Sequence, residues 1–218
     1  MKKAVVSFSG GLDSTTCLMW SLRKGYKTVA VIFDYGQRHK REIDSARKIS
    51  KILGVKLIEV KLVLPWLKVS SLVSKNIPLP NNPVDKITNN LIPSTYVPAR
   101  NLVFASLLAS YADSYGFDYI VMGPNAIDFS GYPDCRPAFY IHLNNALKYG
   151  TKKGNIKILT PIINLSKKEI IELALRLKAP IEYSWSCYEG GKKPCGRCDA
   201  CRLRAKGFSE LGIKDPAL

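Results

Sequence analysis

Ala4-Val5-Val6-Ser7-Phe8-Ser9-Gly10-Gly11-Leu12-Asp13-Ser14-Thr15 passes from an apolar strand through two glycines into a helix near the start of this 218-residue chain. Residues 4–8 read as a buried strand. The run from Thr15 to Leu22 carries the apolar face of a helix. A turn of this kind leaves backbone N–H groups bare at the positive end of the helix dipole, which makes it a seat for phosphate. Ser9, Ser14 and Thr15 add hydroxyl donors. Asp13 would repel a bare anion, and a magnesium ion between carboxylate and phosphate removes the conflict, because hard oxygen ligands suit that ion. The simpler reading is a glycine turn with Asp13 or Ser14 as an ordinary cap. No Gly-x4-Gly-Lys-Ser/Thr loop is present.

Working outward, Thr28–Phe33 reads as a second buried strand that stops at Asp34-Tyr35-Gly36-Gln37-Arg38-His39. A helix from Lys40 to Leu53 ends at Gly54, a frequent helix stop. Val55–Leu62 is a third strand. From Pro65 to Pro98 the periodicity breaks, with Pro78, Pro80, Pro83 and Pro93 in a long irregular insertion of the kind that serves as a lid or binding loop. Asn101–Tyr115 is apolar enough for a helix buried between layers. Asp118–Met122 and Lys157–Leu159 are further strands, and Ala138–Tyr149 is a helix. Ser166, with Glu169 three residues on, caps a helix to Leu177. A final helix lies near residues 200–211. Strands alternating with helices predict an α/β fold, a doubly wound parallel five-stranded sheet. The expected division is a phosphate-binding α/β domain over residues 1–180 and a small metal-stapled region over 181–218. Ligands of such sheets lie beyond the carboxyl ends of the strands. By that rule Ser9, Asp34 and Gly123 face one crevice.

Composition narrows the class. The apolar share of 46% supports a sizeable core. No apolar run approaches the roughly 18 residues of a membrane span, and the chain opens on a strand with no signal peptide, so a cytoplasmic protein is expected. The formal net charge of +16 suits nucleic acid, an acidic surface or a polyphosphate substrate. The basic residues are dispersed and lack interleaved aromatics, so direct nucleic-acid binding is not expected.

Six cysteines are present. Cys187-x7-Cys195-x2-Cys198-x2-Cys201 sets four soft ligands close together, as tetrahedral zinc requires. An iron–sulfur cluster is the rival, though a ferredoxin-type run would need another cysteine near Arg204. Free thiols or a disulfide are the remaining option. Four thiolates would fill the coordination sphere, so such a zinc is structural.

Three other groups carry chemistry. Gly131-Tyr132-Pro133-Asp134-Cys135-Arg136-Pro137 is a polar turn, either a packed proline turn or a site. In the second case Asp134 accepts from a guanine-like base and Arg136 pairs with a carboxylate. Arg100 at a helix start opposes the dipole and calls for an anionic partner, either a surface ion pair or the phosphates of a ligand. Lys167 is either solvated or reaches the same phosphates.

Ser-Gly-Gly-x-Asp-Ser after the first strand resembles the PP-loop of the ATP pyrophosphatases, which split ATP to AMP and pyrophosphate. Adding residues 8–18, 33–39, 96–101 and 131–137 and the four cysteines, nearly the whole chain resembles the 7-cyano-7-deazaguanine synthase family. The resemblance implies an ATP-dependent ligase that turns 7-carboxy-7-deazaguanine and ammonia into a nitrile for queuosine or archaeosine in tRNA. It implies a homodimer, and ATP, Mg2+ and one structural Zn2+. The ATP contacts would fall on Phe8, Ser9, Gly10, Gly11, Leu12, Asp13, Ser14, Thr15, Thr16, Cys17 and Leu18. Asp13, Ser14, Arg100 and Lys167 would be catalytic, Tyr132, Asp134 and Arg136 would bind substrate, and Cys187, Cys195, Cys198 and Cys201 would hold the metal. The alternative is a PP-loop enzyme that adenylates or thiolates a tRNA base directly.

Overall fold

A computed structural model describes residues 1–82, 92–126 and 131–218. The centre of the proline-rich insertion, including Pro83, lies outside the described residues. The chain alternates β1 (Lys3–Ser7), α1 (Leu12–Arg23), β2 (Lys27–Asp34), α2 (Arg41–Leu53) and β3 (Lys56–Lys61). After the insertion come α3 (Arg100–Tyr115), β4 (Tyr119–Val121), α4 (Pro137–Gly150), β5 (Lys157–Leu159), α5 (Lys167–Leu177) and α6 (Asp199–Ser209).

The strands form one five-stranded parallel sheet in the order β3-β2-β1-β4-β5. Chain order reverses between β1 and β4, so the crevice at their carboxyl ends is the switch point where such sheets bind ligands. Because strand side chains alternate, the sheet is apolar on both faces. Val5, Val31 and Phe33 point to a core with Ala105, Leu108 and Ala112 of α3 and Leu147 of α4. Val6, Ala30 and Ile32 point the other way, to Leu18 of α1, Ile43 and Ile49 of α2 and Ile170 of α5.

Two sequence expectations need correction. Helix α3 is not buried between layers. It buries the stripe Ala105, Leu108, Ala109 and Ala112, while Leu102 and Leu107 are exposed. A helix on the outside of a doubly wound sheet covers only one strand face, whatever its total hydrophobicity. Asp34 does not face the crevice either. Lys40 draws it aside at 3.0 Å.

The last helix joins a third core. Phe208 of α6 packs with Leu12 and Met19 of α1 and with Ile171 and Ala174 of α5. A buried pair fixes its orientation: Arg204 donates to both oxygens of Asp215, at 2.5 and 2.8 Å, and to Ser184 Oγ at 2.8 Å. Phe208→Ala therefore removes a ring from a core shared with α1. The expected cost is about 3–5 kcal/mol, read as a lower urea midpoint, and an unchanged midpoint would show that α6 does not stabilise the sheet.

Candidate active site and cysteine cluster

The turn between β1 and α1 is held from three sides. Gly10 adopts a φ of 82°, and a Cβ there would lie 2.4 Å from the Glu42 carbonyl oxygen and 2.6 Å from the Ala46 nitrogen. Only glycine fits both the conformation and the space. Its carbonyl accepts from Ser45 Oγ of α2 at 2.9 Å and from the Trp185 N–H at 3.0 Å. Ser45 Oγ also meets the Tyr183 carbonyl oxygen. Ser9 and Ser14 hydroxyls join at 3.1 Å across the mouth of the turn. The first intrahelical bond runs from Thr15 N–H to the Gly11 carbonyl, which leaves the first-turn N–H groups of α1 facing outward.

Asp13, in that first turn, is paired with Lys167, whose Nζ lies 2.7 and 2.8 Å from the two carboxylate oxygens. Asn125, just past β4, donates to Asp13 Oδ2 at 2.9 Å. Lys167 is the first residue of α5, where a cation opposes the helix dipole. The Ser166–Glu169 capping box offsets this from one side and Asp13 from the other. The lysine stem is roofed by α6: a Cβ at Gly207 would come within 2.9 Å of Lys167 Cγ.

The opposite wall is polar and aromatic. Asp134 is buried, and its Oδ2 accepts the Asn101 N–H at 2.8 Å, capping α3 from a distant part of the chain. That cap satisfies the start of the helix, while the Arg100 side chain, one residue earlier, turns to an aromatic partner. The Arg100 guanidinium lies over the Tyr35 ring, 5.9 Å from its centroid, and reaches its hydroxyl at 3.4 Å. Tyr132 shares a 2.7 Å hydrogen bond with Thr95 and stacks near Tyr96. Glu42 lines the gap between these groups and the turn. Burial pushes its carboxyl up to about 7, against the opposing pull of Arg100.

Together these walls enclose a cavity of about 280 Å³. Of the sequence-expected residues, Phe8, Ser9, Gly11, Leu12, Asp13, Ser14, Arg100, Tyr132, Asp134 and Lys167 line it. Gly10, Thr15, Thr16, Cys17, Leu18 and Arg136 do not. Thr15 and Thr16 are fully buried, and their hydroxyls donate back to the Gly11 and Leu12 carbonyls at 2.8 and 2.9 Å. Cys17 and Leu18 belong to the core, where burial pushes the Cys17 thiol up. Arg136 is exposed at the N-cap of α4. Residues without a sequence signal complete the cavity, notably Trp185, Ser186 and Tyr188 from beside the cysteines. Glu42 and Arg38 were missed too, for they read as the charged face of a surface helix and its approach.

The Cys187, Cys195, Cys198 and Cys201 sulfurs all lie within 4.8 Å of one another. Sulfurs around tetrahedral zinc sit about 3.8 Å apart, given Zn–S bonds near 2.3 Å. The Cys195 N–H faces Cys187 Sγ at 3.3 Å and the Cys198 N–H faces Cys195 Sγ at 3.4 Å, donors that suit metal-bound thiolates. The four residues therefore fit a structural metal such as zinc, and among the described residues these four thiols make up the cluster.

The model of the queuosine biosynthesis protein QueC matches residues 3–212. The chain belongs to the QueC family. This QueC chain is 48% identical to a 7-cyano-7-deazaguanine synthase of Thermoplasma volcanium, with 99% of the chain and 90% of the relative aligned. It is also 48% identical to the synthase of Acetivibrio thermocellus, over 99% of the chain and 96% of that relative. Among solved structures, a predicted subunit of tRNA methyltransferase from Methanocaldococcus jannaschii is similar in fold, with a TM-score of 0.53 and 20% identity. That match covers 81% of this chain and 76% of the other. Among the described residues no helix is long and apolar enough to cross a membrane.

Metal loss has a defined consequence, because the cysteine segment and Trp185 form one apolar cluster and Trp185 holds Gly10. Cys198→Ser is expected to abolish stoichiometric zinc and lower Tm, and to quench or shift Trp fluorescence. Full stability in a zinc-free Cys198→Ser protein would remove the structural role.

Proposed function

We propose that this chain is a 7-cyano-7-deazaguanine synthase that consumes ATP to convert 7-carboxy-7-deazaguanine and ammonia into the nitrile. The observation that carries the reading is that one cavity holds both a phosphate-type corner and a base-type wall. The corner offers first-turn N–H groups, Ser9, Ser14 and the Asp13–Lys167 pair. The wall, across the crevice, offers Asp134, Tyr132 and Arg100.

A carboxylate is a poor electrophile, and transfer of AMP to its oxygen supplies a leaving group. Ammonia then displaces AMP to give the amide. A second adenylation, now of the amide oxygen, lets AMP leave with formation of the C≡N bond. The protein's contribution is placement and charge. The N–H groups of Leu12 and Asp13 and the Ser14 hydroxyl hold the departing pyrophosphate. Asp13 is the carboxylate that would hold the magnesium of Mg-ATP, an ion that supplies neutralisation of the phosphates. Lys167, already 2.7 Å from Asp13, balances the remaining negative charge. Asp134 and Tyr132 read the polar edge of the deazapurine, and Arg100 faces the carboxylate being activated. The cysteine cluster would hold Zn2+ as a staple behind Trp185. We further take the enzyme to be a cytoplasmic homodimer whose substrates are small molecules rather than nucleic acid.

Incubation with the acid, ammonium and Mg-ATP is expected to yield the nitrile, AMP and pyrophosphate by mass spectrometry. Release of ADP without AMP would overturn the adenylation chemistry. Asp13→Ala is expected to slow turnover by about 10²–10³-fold while zinc content and Tm stay near the wild-type values.

A further inference from the structure

The nucleophile poses a problem that the roles above leave unsolved. Like other amines, ammonia is mostly protonated near neutral pH, and the ammonium ion has no lone pair. A carboxylate that faces the cavity and is not already neutralised is needed to seat the cation and take its proton.

Among the described residues, Asp13, Glu42 and Asp134 are the carboxylates that line the cavity. Asp13 is held at both oxygens by Lys167 and again by Asn125. Asp134 gives Oδ2 to the Asn101 N–H at the start of α3, and its other oxygen is the one assigned above to the deazapurine. Glu42 differs. Among the described residues its carboxylate has no hydrogen-bond or ion-pair partner. It is close enough to the Arg100 guanidinium and the Tyr35 hydroxyl for each pair to interact electrostatically. Its backbone is fixed, because the Glu42 carbonyl packs onto Gly10. Glu42 thus stands between the phosphate corner and the Arg100–Tyr35 wall. An acyl carbon bridging a nucleotide in the corner and a deazapurine on the wall lies in that interval.

We propose that Glu42 is the carboxylate that binds ammonium and serves as general base at the reacting nitrogen. The assignment rests on the synthase reading above. In the first half, Glu42 takes one proton from NH4+, giving NH3 and a carboxylic acid. The NH3 lone pair forms the C–N bond, the nitrogen gives up one proton to solvent, and the C–O bond to AMP breaks with its electrons. Glu42 then returns its own proton to solvent. In the second half the amide nitrogen must lose both of its protons, one to solvent once the amide oxygen is adenylated and the other as AMP departs with the C–O bonding pair. Glu42 takes that proton too, since the nitrogen stays where it was delivered.

The test separates the two halves of the chemistry. Acid-dependent exchange of pyrophosphate into ATP, measured without ammonium, reports adenylation alone. In Glu42→Gln this exchange is expected to persist within about threefold, which also shows that the variant is folded, while amide and nitrile formation from ammonium falls about 10²–10⁴-fold. Hydroxylamine, largely neutral at pH 7, needs no base for the first attack and is expected to give the hydroxamate at close to the wild-type rate. Ammonia turnover at the wild-type rate in Glu42→Gln would overturn the proposal. So would equal loss of exchange, or equal loss of hydroxamate. Should Glu42→Gln fail to fold, Glu42→Asp withdraws the charge by one methylene. It is expected to raise the KM for ammonium about tenfold with the KM values for ATP and acid unmoved, and an unchanged ammonium KM overturns the assignment. Absence of exchange in the wild-type enzyme would instead refute the synthase reading.

Discussion

Helix α2 comes so close to the β1–α1 turn that its backbone occupies the space any side chain at Gly10 would need. Close-packed interiors do not yield to such an intrusion by small adjustments. The approach sets the direction of α1, brings the Glu42 backbone to the rim of the turn, and turns the Gly10 carbonyl toward Ser45 and Trp185. The rest of the cavity is arranged around a corner that is already rigid. A ligand seated there gains from this, since the ordering cost is met in folding rather than on binding.

Charge at the site is organised by compensation. Lys167 begins a helix, where a cation is unfavourable, and Arg100 begins another. Each is tolerated because an acid from elsewhere in the chain faces the same helix end: Asp13 for α5 and Asp134 for α3. The acids come from the β1–α1 corner and from the turn before α4, so neither helix start is neutral without the folded sheet. The Asp13–Lys167 ion pair and the Asp134 cap therefore link sheet edge to helix end, and they leave cations poised around a cavity suited to anions.

Much of the fold was legible in the sequence. The apolar runs of β1, β2 and β5, the Ser166–Glu169 box and the stop of α2 at Gly54 follow from local chemistry that tertiary packing did not override. The corner was legible because Gly10-Gly11 and Asp13 sit within one turn. Local reading reached one residue too far along the helix, and the resemblance further still: Thr15 looks like a phosphate donor and Thr16 was an implied ATP contact, but the helix uses both hydroxyls internally. It also misjudged Arg136, whose neighbours in sequence enter the cavity while it points to solvent. Glu42, Asn125 and Trp185 were invisible for a different reason. Their roles depend on which elements meet in space, and nothing in their own segments records that α2, the end of β4 and the cysteine segment converge on one turn. The insertion is a further case. Its prolines mark it as irregular, yet only the fold shows that Asn82 docks on Asp199 of α6 and that the Ile77 carbonyl accepts from Arg38.

The bond from the Trp185 N–H to the Gly10 carbonyl joins the β1–α1 turn to the much later segment beside the cysteines. On a ribosome, β1, α1 and α2 emerge early and have every residue they need to form the turn, yet one of its three supports has not been synthesised. Until the cysteine segment appears, the nascent chain has a sheet but an unfinished turn at the mouth of the cavity. Completion of the turn thus waits for the cysteine segment, when all three supports are present in the same molecule.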